Sequence, residues 1–211
     1  MSDRRWFWGR MAERYARMPV IDAPSYERKL ARTRALLTPE SRVLEFGCGT
    51  GSTAIAHAPH VAQIVAIDSA DEMLGIARAR AAEADVHNVR FEHTTLAAFD
   101  SPDATWDVVM GMSILHLLAD RAGALARVHA LLKPGGVFIS STICVGDASW
   151  KLRLLAPVIR VLPVLPDIHA LTLSQLSAEM VAAGFELEDT WCPGRNKAAF
   201  VVARKPGRVE V

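Results

Sequence analysis

Cysteine is scarce. Cys48, Cys144 and Cys192 are the only three in 211 residues, and they form no CxxC pair. That spacing excludes a disulfide framework or a zinc ribbon, and no metal site is expected. Neither sign of charge dominates: 24 Lys and Arg stand against 23 Asp and Glu, a net of +1. Nucleic acid is therefore not expected as a partner. The one basic cluster, Arg4, Arg5, Arg10, Arg14 and Arg17, alternates with aromatics and reads as the wet face of an amphipathic helix. Long apolar runs are missing as well. The most apolar stretch, Leu152 to Pro166, is broken by Arg153, Arg160, Pro157 and Pro163, which rules out an integral membrane segment there. No apolar stretch resembling a secretory leader follows Arg4 and Arg5, and the expected location is cytoplasmic. There are no internal repeats or low-complexity tracts.

What is present is core material. Hydrophobic residues make up 51% of the chain, enough for one large domain. Trp8, Met11, Tyr15 and Met18 recur at helical spacing, which predicts a first helix ending near Pro19; a second is expected from about Ser25 to Leu37. Beyond Arg42 short apolar strands alternate with helices: Val43 to Phe46, Ile64 to Ile67 ending at Asp68, Val89 to Glu92, Trp106 to Met110 and Val137 to Ser140. Ser69 with Glu72, and Thr172 with Gln175, have capping-box spacing and mark helix starts. Lys133-Pro134-Gly135-Gly136 reads as a stop before the fifth strand. Phe185 to Trp191 and Ala199 to Ala203 flank a short turn, which suits an antiparallel hairpin. The pattern predicts an α/β fold: a Rossmann-like, seven-stranded, mostly parallel sheet with helices on both faces and an antiparallel C-terminal hairpin.

The most informative stretch is Val43-Leu44-Glu45-Phe46-Gly47-Cys48-Gly49-Thr50-Gly51. A strand running into close-set glycines and then a helix lets a ligand approach backbone. A dinucleotide fingerprint would need a third glycine at position 52, where Ser52 stands. Glu45 would also repel a pyrophosphate, whereas it suits a cationic amino-acid ligand. Asp68, ending the next strand, is placed to accept hydrogen bonds from both hydroxyls of a ribose. The plainer alternative for Asp68 is a capping or solvated loop acid.

With Trp106-Asp107-Val108-Val109 opening the fourth strand and Leu132-Lys133-Pro134-Gly135-Gly136 before the fifth, the chain from about Arg42 to Ser140 resembles the class I S-adenosylmethionine-dependent methyltransferases, in particular their small-molecule branch. The resemblance implies S-adenosylmethionine as cofactor. Gly47, Cys48, Gly49 and Gly51 would line its methionine part, with Glu45 orienting the loop or the ammonium group. Cys48 would serve as a small loop residue, with no reactivity implied. Asp68 would hold the ribose and Met73 would lie against the adenine, although a methionine there is otherwise core. Ser69, Leu96 and Met112 complete the expected cofactor contacts. Many relatives carry Gly-Asp-Ala after the third strand, where this chain has Thr94-Thr95-Leu96; Thr95 would meet the base, or Asp100 if the register slips. His116 corresponds to a histidine often found near the transferred methyl group and would act as general base, the alternative being a structural histidine. Tyr15 would close over the methionine end or pack in the core.

These expectations divide residues 1–205 into a helical cap (1–37), a cofactor-binding core (38–142), an apolar lid insertion (143–171) and a final helix with hairpin (172–205), followed by a tail (206–211). Leu152, Leu155, Ile159 and Leu162 follow a helical stripe, and with Trp6, Phe7 and Trp8 opposite they would enclose a small, apolar methyl acceptor. The alternatives for 152–165 are a core plug, a dimer contact or an interfacial contact with a membrane. Neither the acceptor atom nor an oligomeric state is assigned. The rival functions are a non-catalytic S-adenosylmethionine-binding module and a nicotinamide-dependent oxidoreductase.

Overall fold

Strand alternation decides which face of the sheet each residue serves. The computed structural model describes residues 5–19, 22–147, 171–194 and 196–207. Its strands are β1 (Arg42–Phe46), β2 (Gln63–Asp68), β3 (Val89–His93), β4 (Trp106–Met112), β5 (Leu132–Ile143), β6 (Glu186–Trp191) and β7 (Ala198–Arg204). They form one seven-stranded sheet in the order β3-β2-β1-β4-β5-β7-β6. The first five strands pair in parallel, and β7 runs antiparallel to both β5 and β6. The α-helices among the described residues are α1 (Arg5–Ala16), α2 (Ala23–Arg34), α3 (Ser52–His57), α4 (Asp71–Glu83), α5 (Arg121–Leu131) and α6 (Leu173–Ala182). None of them is long and apolar enough to cross a membrane.

Leu44, Phe46, Val65, Ile67, Val109 and Phe138 point to one side and meet Leu125, Val128, Leu176 and Met180 of α5 and α6. Their neighbours Val43, Ile64, Ala66, Val108, Met110 and Ile139 point to the other, where Ala54 of α3 and Leu74 of α4 cover them. Both faces are buried, which is why the parallel strands read as nearly continuous apolar runs. At the sheet's amino edge, Asp107 accepts from the Arg42 N–H at 2.9 Å and from Lys133 Nζ at 2.7 Å, so this motif acid binds β1, β4 and β5 together.

Several element boundaries differ from the sequence expectation. The Ser69–Glu72 capping box does not form: α4 begins at Asp71 after Ala70, with no side-chain cap. Asp68 Oδ1 instead takes the Ala70 N–H at 2.9 Å, and the Ser69 carbonyl faces His93 Nε2 at 3.0 Å. The Thr172–Gln175 box is present in full. The helix does stop before Lys133-Pro134-Gly135-Gly136, α5 ending at Leu131, and the motif itself is an irregular opening of β5; Gly135 and Gly136 exchange backbone hydrogen bonds with Lys205, both at 2.9 Å. On α1 the buried residues are Phe7 and Ala12, while Trp6, Tyr15 and Met18 are exposed. The inward arc is rotated from the expected stripe because small Ala12 packs on Ala70 and Met73 of the α4 region. Arg10, Arg14 and Arg17 are exposed. Most of the expected lid, including Leu152, Leu155, Ile159 and Leu162, lies outside the described residues.

Phe138 sits between Phe46, stacked at 6.2 Å, and Phe185 at 5.8 Å, with no exposed surface. Phe138→Ala should therefore cost about 3–5 kcal/mol of unfolding free energy in denaturant titration. A loss below about 1 kcal/mol would mean that this side of the core repacks.

Candidate functional site

The strand order reverses between β1 and β4, and a crevice opens beyond the carboxyl ends of the strands there. It is a cleft of about 1570 Å³. Most single-ligand pockets span ~300–1,000 Å³, so there is room for two molecules side by side. The floor is the β1–α3 loop. Gly47 and Gly49 lie at φ +65° and +54°, the left-handed region that side chains disfavour. A Cβ at Gly47 would come within 2.7 Å of Ile114, whereas one at Gly49 would project into open space. Cys48 between them is buried, its N–H bonded to the Ile67 carbonyl at 3.1 Å. Burial holds its thiol well above the usual range, so it stays protonated and inert.

Asp68 and Glu45 give the cleft its charge. Asp68 Oδ2 accepts from Gly49 N–H at 2.8 Å while Oδ1 accepts from Ala70 N–H, with a smaller contribution from the Ser69 backbone. Glu45 is 1% exposed, and its Oε2 has no hydrogen-bond partner. Gly51 offers α3 no side-chain cap, and the Ala54 amide meets Glu45 instead. Desolvation, with the Asp68 carboxylate second, pushes Glu45 up to about 8. Among the described residues no basic group lies within ion-pair distance of either acid. Partial desolvation, Asp68 and Glu45 raise Tyr15, and desolvation, Glu45 and Glu27 raise Tyr26.

Of the expected cofactor residues, Tyr15, Glu45, Gly47, Cys48, Gly49, Asp68, Ser69, Met73, Thr95, Leu96 and Met112 all line this cleft. Gly51 does not; a Cβ there would meet Ala77 and Phe91, so its glycine serves packing beneath the loop. Asp100 lies at the opposite edge of the sheet, beside Arg42 and Gln63, so the slipped register is excluded. His116 needs correction too. It is buried in a 3-10 turn, Leu115–Leu117, and the cleft is lined by Ile114 and Leu117 on either side of it. Desolvation lowers it to about 4, and Nδ1 has no partner. His116 is thus not among the residues that line the cleft. Trp8 lines the cleft, whereas Phe7 is buried in the core and Trp6 is exposed.

The structure also brings in residues that the sequence did not nominate: Tyr26, Lys29 and Thr33 of α2, Ser113, Ser141 and Lys197. The α2 group has the i, i+3, i+7 spacing of one helix face, a signal that was legible without a direction. Arg80 links the floor to the cap. Its guanidinium donates to Thr50 Oγ1 at 2.8 Å and to the Ala16 carbonyl at 2.6 Å, joining the loop to the end of α1.

Comparisons with known proteins agree with this geometry. Residues 43–136 match the methyltransferase-domain family model. The chain is 31% identical over 169 residues to a ubiquinone biosynthesis O-methyltransferase of Xanthomonas campestris, covering 76% of this chain and 70% of that one. It is 35% identical over 111 residues to the uncharacterized methyltransferase YcgJ of Bacillus subtilis, covering 53% and 42%. The YcgJ crystal structure shares the fold at a TM-score of 0.70 and 20% identity, over 87% of this chain and all of that one. The structure of the [4+2]-cyclase SpnF does so at 0.73 and 21%, over 86% and 81%. The chain belongs to the class I S-adenosylmethionine-dependent methyltransferase family. It spans about half the length of several curated relatives that it matches.

Glu45 makes the stability of the protein sensitive to pH. Its folded-state value of about 8 lies above the ordinary 4.5, so its contribution to stability is intact below pH 4.5 and is lost as pH rises toward 8. Glu45→Gln should stabilise the unliganded protein by on the order of 1–3 kcal/mol at neutral pH, with the gain vanishing in acid. Denaturant melts of both proteins across that range check it; a difference independent of pH would show that Glu45 does not titrate there.

Proposed function

We propose that the protein transfers the methyl group of S-adenosylmethionine to a small-molecule acceptor with a largely apolar body. The observation that carries this reading is a pair of acids without a cationic partner, buried Glu45 and half-buried Asp68, beside a glycine loop at the topological switch. A ligand with an ammonium group and a ribose supplies what each acid lacks. The cofactor brings an electrophilic methyl group that needs no covalent help from the protein. The chain's task is alignment and exclusion of water.

In this reading Asp68 accepts from the two ribose hydroxyls, with Gly49 and Ala70 fixing its orientation. Glu45 faces the ammonium group, and Gly47 and Gly49 let the methionine part lie on backbone. Met73 and Leu96 flank the base, Thr95 offers it a hydroxyl, and Tyr15 covers the methionine end from α1. Ile114, Leu117, Leu118, Met18 and Trp8 give the remaining cleft an apolar wall, which supports an apolar acceptor body. Both acids oppose a pyrophosphate, which argues against a nicotinamide cofactor. A chain of the same fold bears the name of a cyclase, so a role for the bound cofactor other than methyl donation is the second reading.

Calorimetry should find micromolar binding of S-adenosylmethionine and S-adenosylhomocysteine, on the order of 8 kcal/mol. Affinity for both should rise with pH toward 8 as Glu45 gives up its proton to meet the ammonium group. Asp68→Ala should weaken both ligands about 10- to 100-fold, because each carries the same ribose. Unchanged affinity would remove Asp68 from the site. Labelled-methyl turnover over an acceptor panel separates the two readings: tight cofactor binding with no transfer to any acceptor would favour the second.

A further inference from the structure

The cleft lining also carries the opposite charge, on Lys29. Lys29 projects from α2 onto the sheet, where its Nζ donates to Ser141 Oγ at 2.8 Å and to the Ala198 carbonyl at 3.0 Å. An ammonium group has three donors, and two are accounted for. Its position follows from topology: β7 runs antiparallel, so Ala198 at its start pairs with Ile143 at the end of β5 and lies on the cleft edge. Among the described residues no carboxylate lies within ion-pair distance of Lys29. The Cys192 thiol and then Asp22 act on it electrostatically, and Asp22 is engaged by Lys197 at 2.7 Å. The Trp191 ring, 5.9 Å away, gives only weak compensation. Lys29 is half-buried, and an unpaired cation out of bulk water is costly unless a partner arrives.

Ser141 ties this cation to Ser113. Its hydroxyl accepts from Lys29, and its carbonyl accepts the Ser113 N–H at 2.7 Å, which holds Ser113 at φ +58°. Ser113 and Ile114 line the same cleft. We propose that Lys29 anchors a carboxylate on the methyl acceptor, so that the substrate is a small organic acid with its apolar body against Ile114, Leu117 and Leu118. This rests on the methyl-transfer reading, since the two acids must hold the donor for Lys29 to receive the acceptor.

The test uses benzoate and its neutral, near-isosteric counterpart benzamide, titrated by NMR into protein saturated with S-adenosylhomocysteine. Benzoate should bind at least tenfold more tightly and shift the backbone amides around Ser141 and Ala198. Lys29→Gln should erase that preference and Lys29→Arg should keep it, with cofactor affinity unchanged in both. Equal binding of the two probes, no binding of benzoate, or a preference that survives in Lys29→Gln overturns the proposal and leaves Lys29 as a tie between α2 and the sheet. The comparison on the unaltered protein stands even if Lys29→Gln does not fold. Failure of S-adenosylhomocysteine to bind, read before either probe is added, sinks the methyl-transfer reading itself and this proposal with it.

Discussion

One carboxylate sets the shape of the cleft. Asp68 stands at the end of β2 and holds the Gly49 N–H with one oxygen and the Ala70 N–H with the other. The first bond pins the glycine loop against the neighbouring strand, so that its backbone faces the crevice. The second fixes where α4 begins, and α4 in turn places Met73 at the cleft and supports α1 through Ala12. Tyr15 reaches the site only because α1 lies on α4, and Arg80 fastens the end of that helix back to the loop through Thr50. Burial raises the pKa of Asp68, and its backbone hydrogen bonds oppose that shift. The acid is therefore kept ready in a place where an isolated carboxylate would tend to protonate.

Glu45 has no such support. A single backbone contact at the start of α3 does not offset its desolvation, and the nearby Asp68 adds repulsion. The unliganded site is thus destabilised locally, and a cationic ligand relieves it. Local instability at a binding site within an otherwise well-packed sheet is the expected arrangement when ligand energy is to be used for ordering.

Much of this was legible in the chain itself. Continuous apolar runs at β1, β2 and β4 gave the parallel sheet, and the acid before the glycines and the acid closing β2 do come together in one cleft. The errors share a cause: short-range patterns were read without knowing what long-range contact would claim the residues. Ser69 and Glu72 had capping-box spacing, but Asp68 already served the Ala70 amide. His116 stood the right distance beyond β4, yet the chain there forms a 3-10 turn. With three residues per turn, Ile114 and Leu117 share the cleft side and residue 116 is directed to the core. Tyr26, Lys29 and Thr33 showed the stripe of one helix face, but no local signal says that this face covers the cleft.

The resulting cleft keeps unlike charges apart. Glu45 rides on β1, and Lys29 is anchored across β5 and β7; neither perturbs the other's ionisation. Were they to meet, they would neutralise each other and leave no electrostatic preference for either ligand. At the exit of β4, Ser113 and Ile114 line the cleft too, with Ser113 at φ +58° and its N–H on the Ser141 carbonyl. A site polarised in this way rejects as well as selects. A cationic acceptor would face Lys29, and an anionic ligand beside the glycine loop would face Asp68, joined by Glu45 as pH rises toward 8. Discrimination then comes as much from repulsion of the wrong ligand as from attraction of the right one.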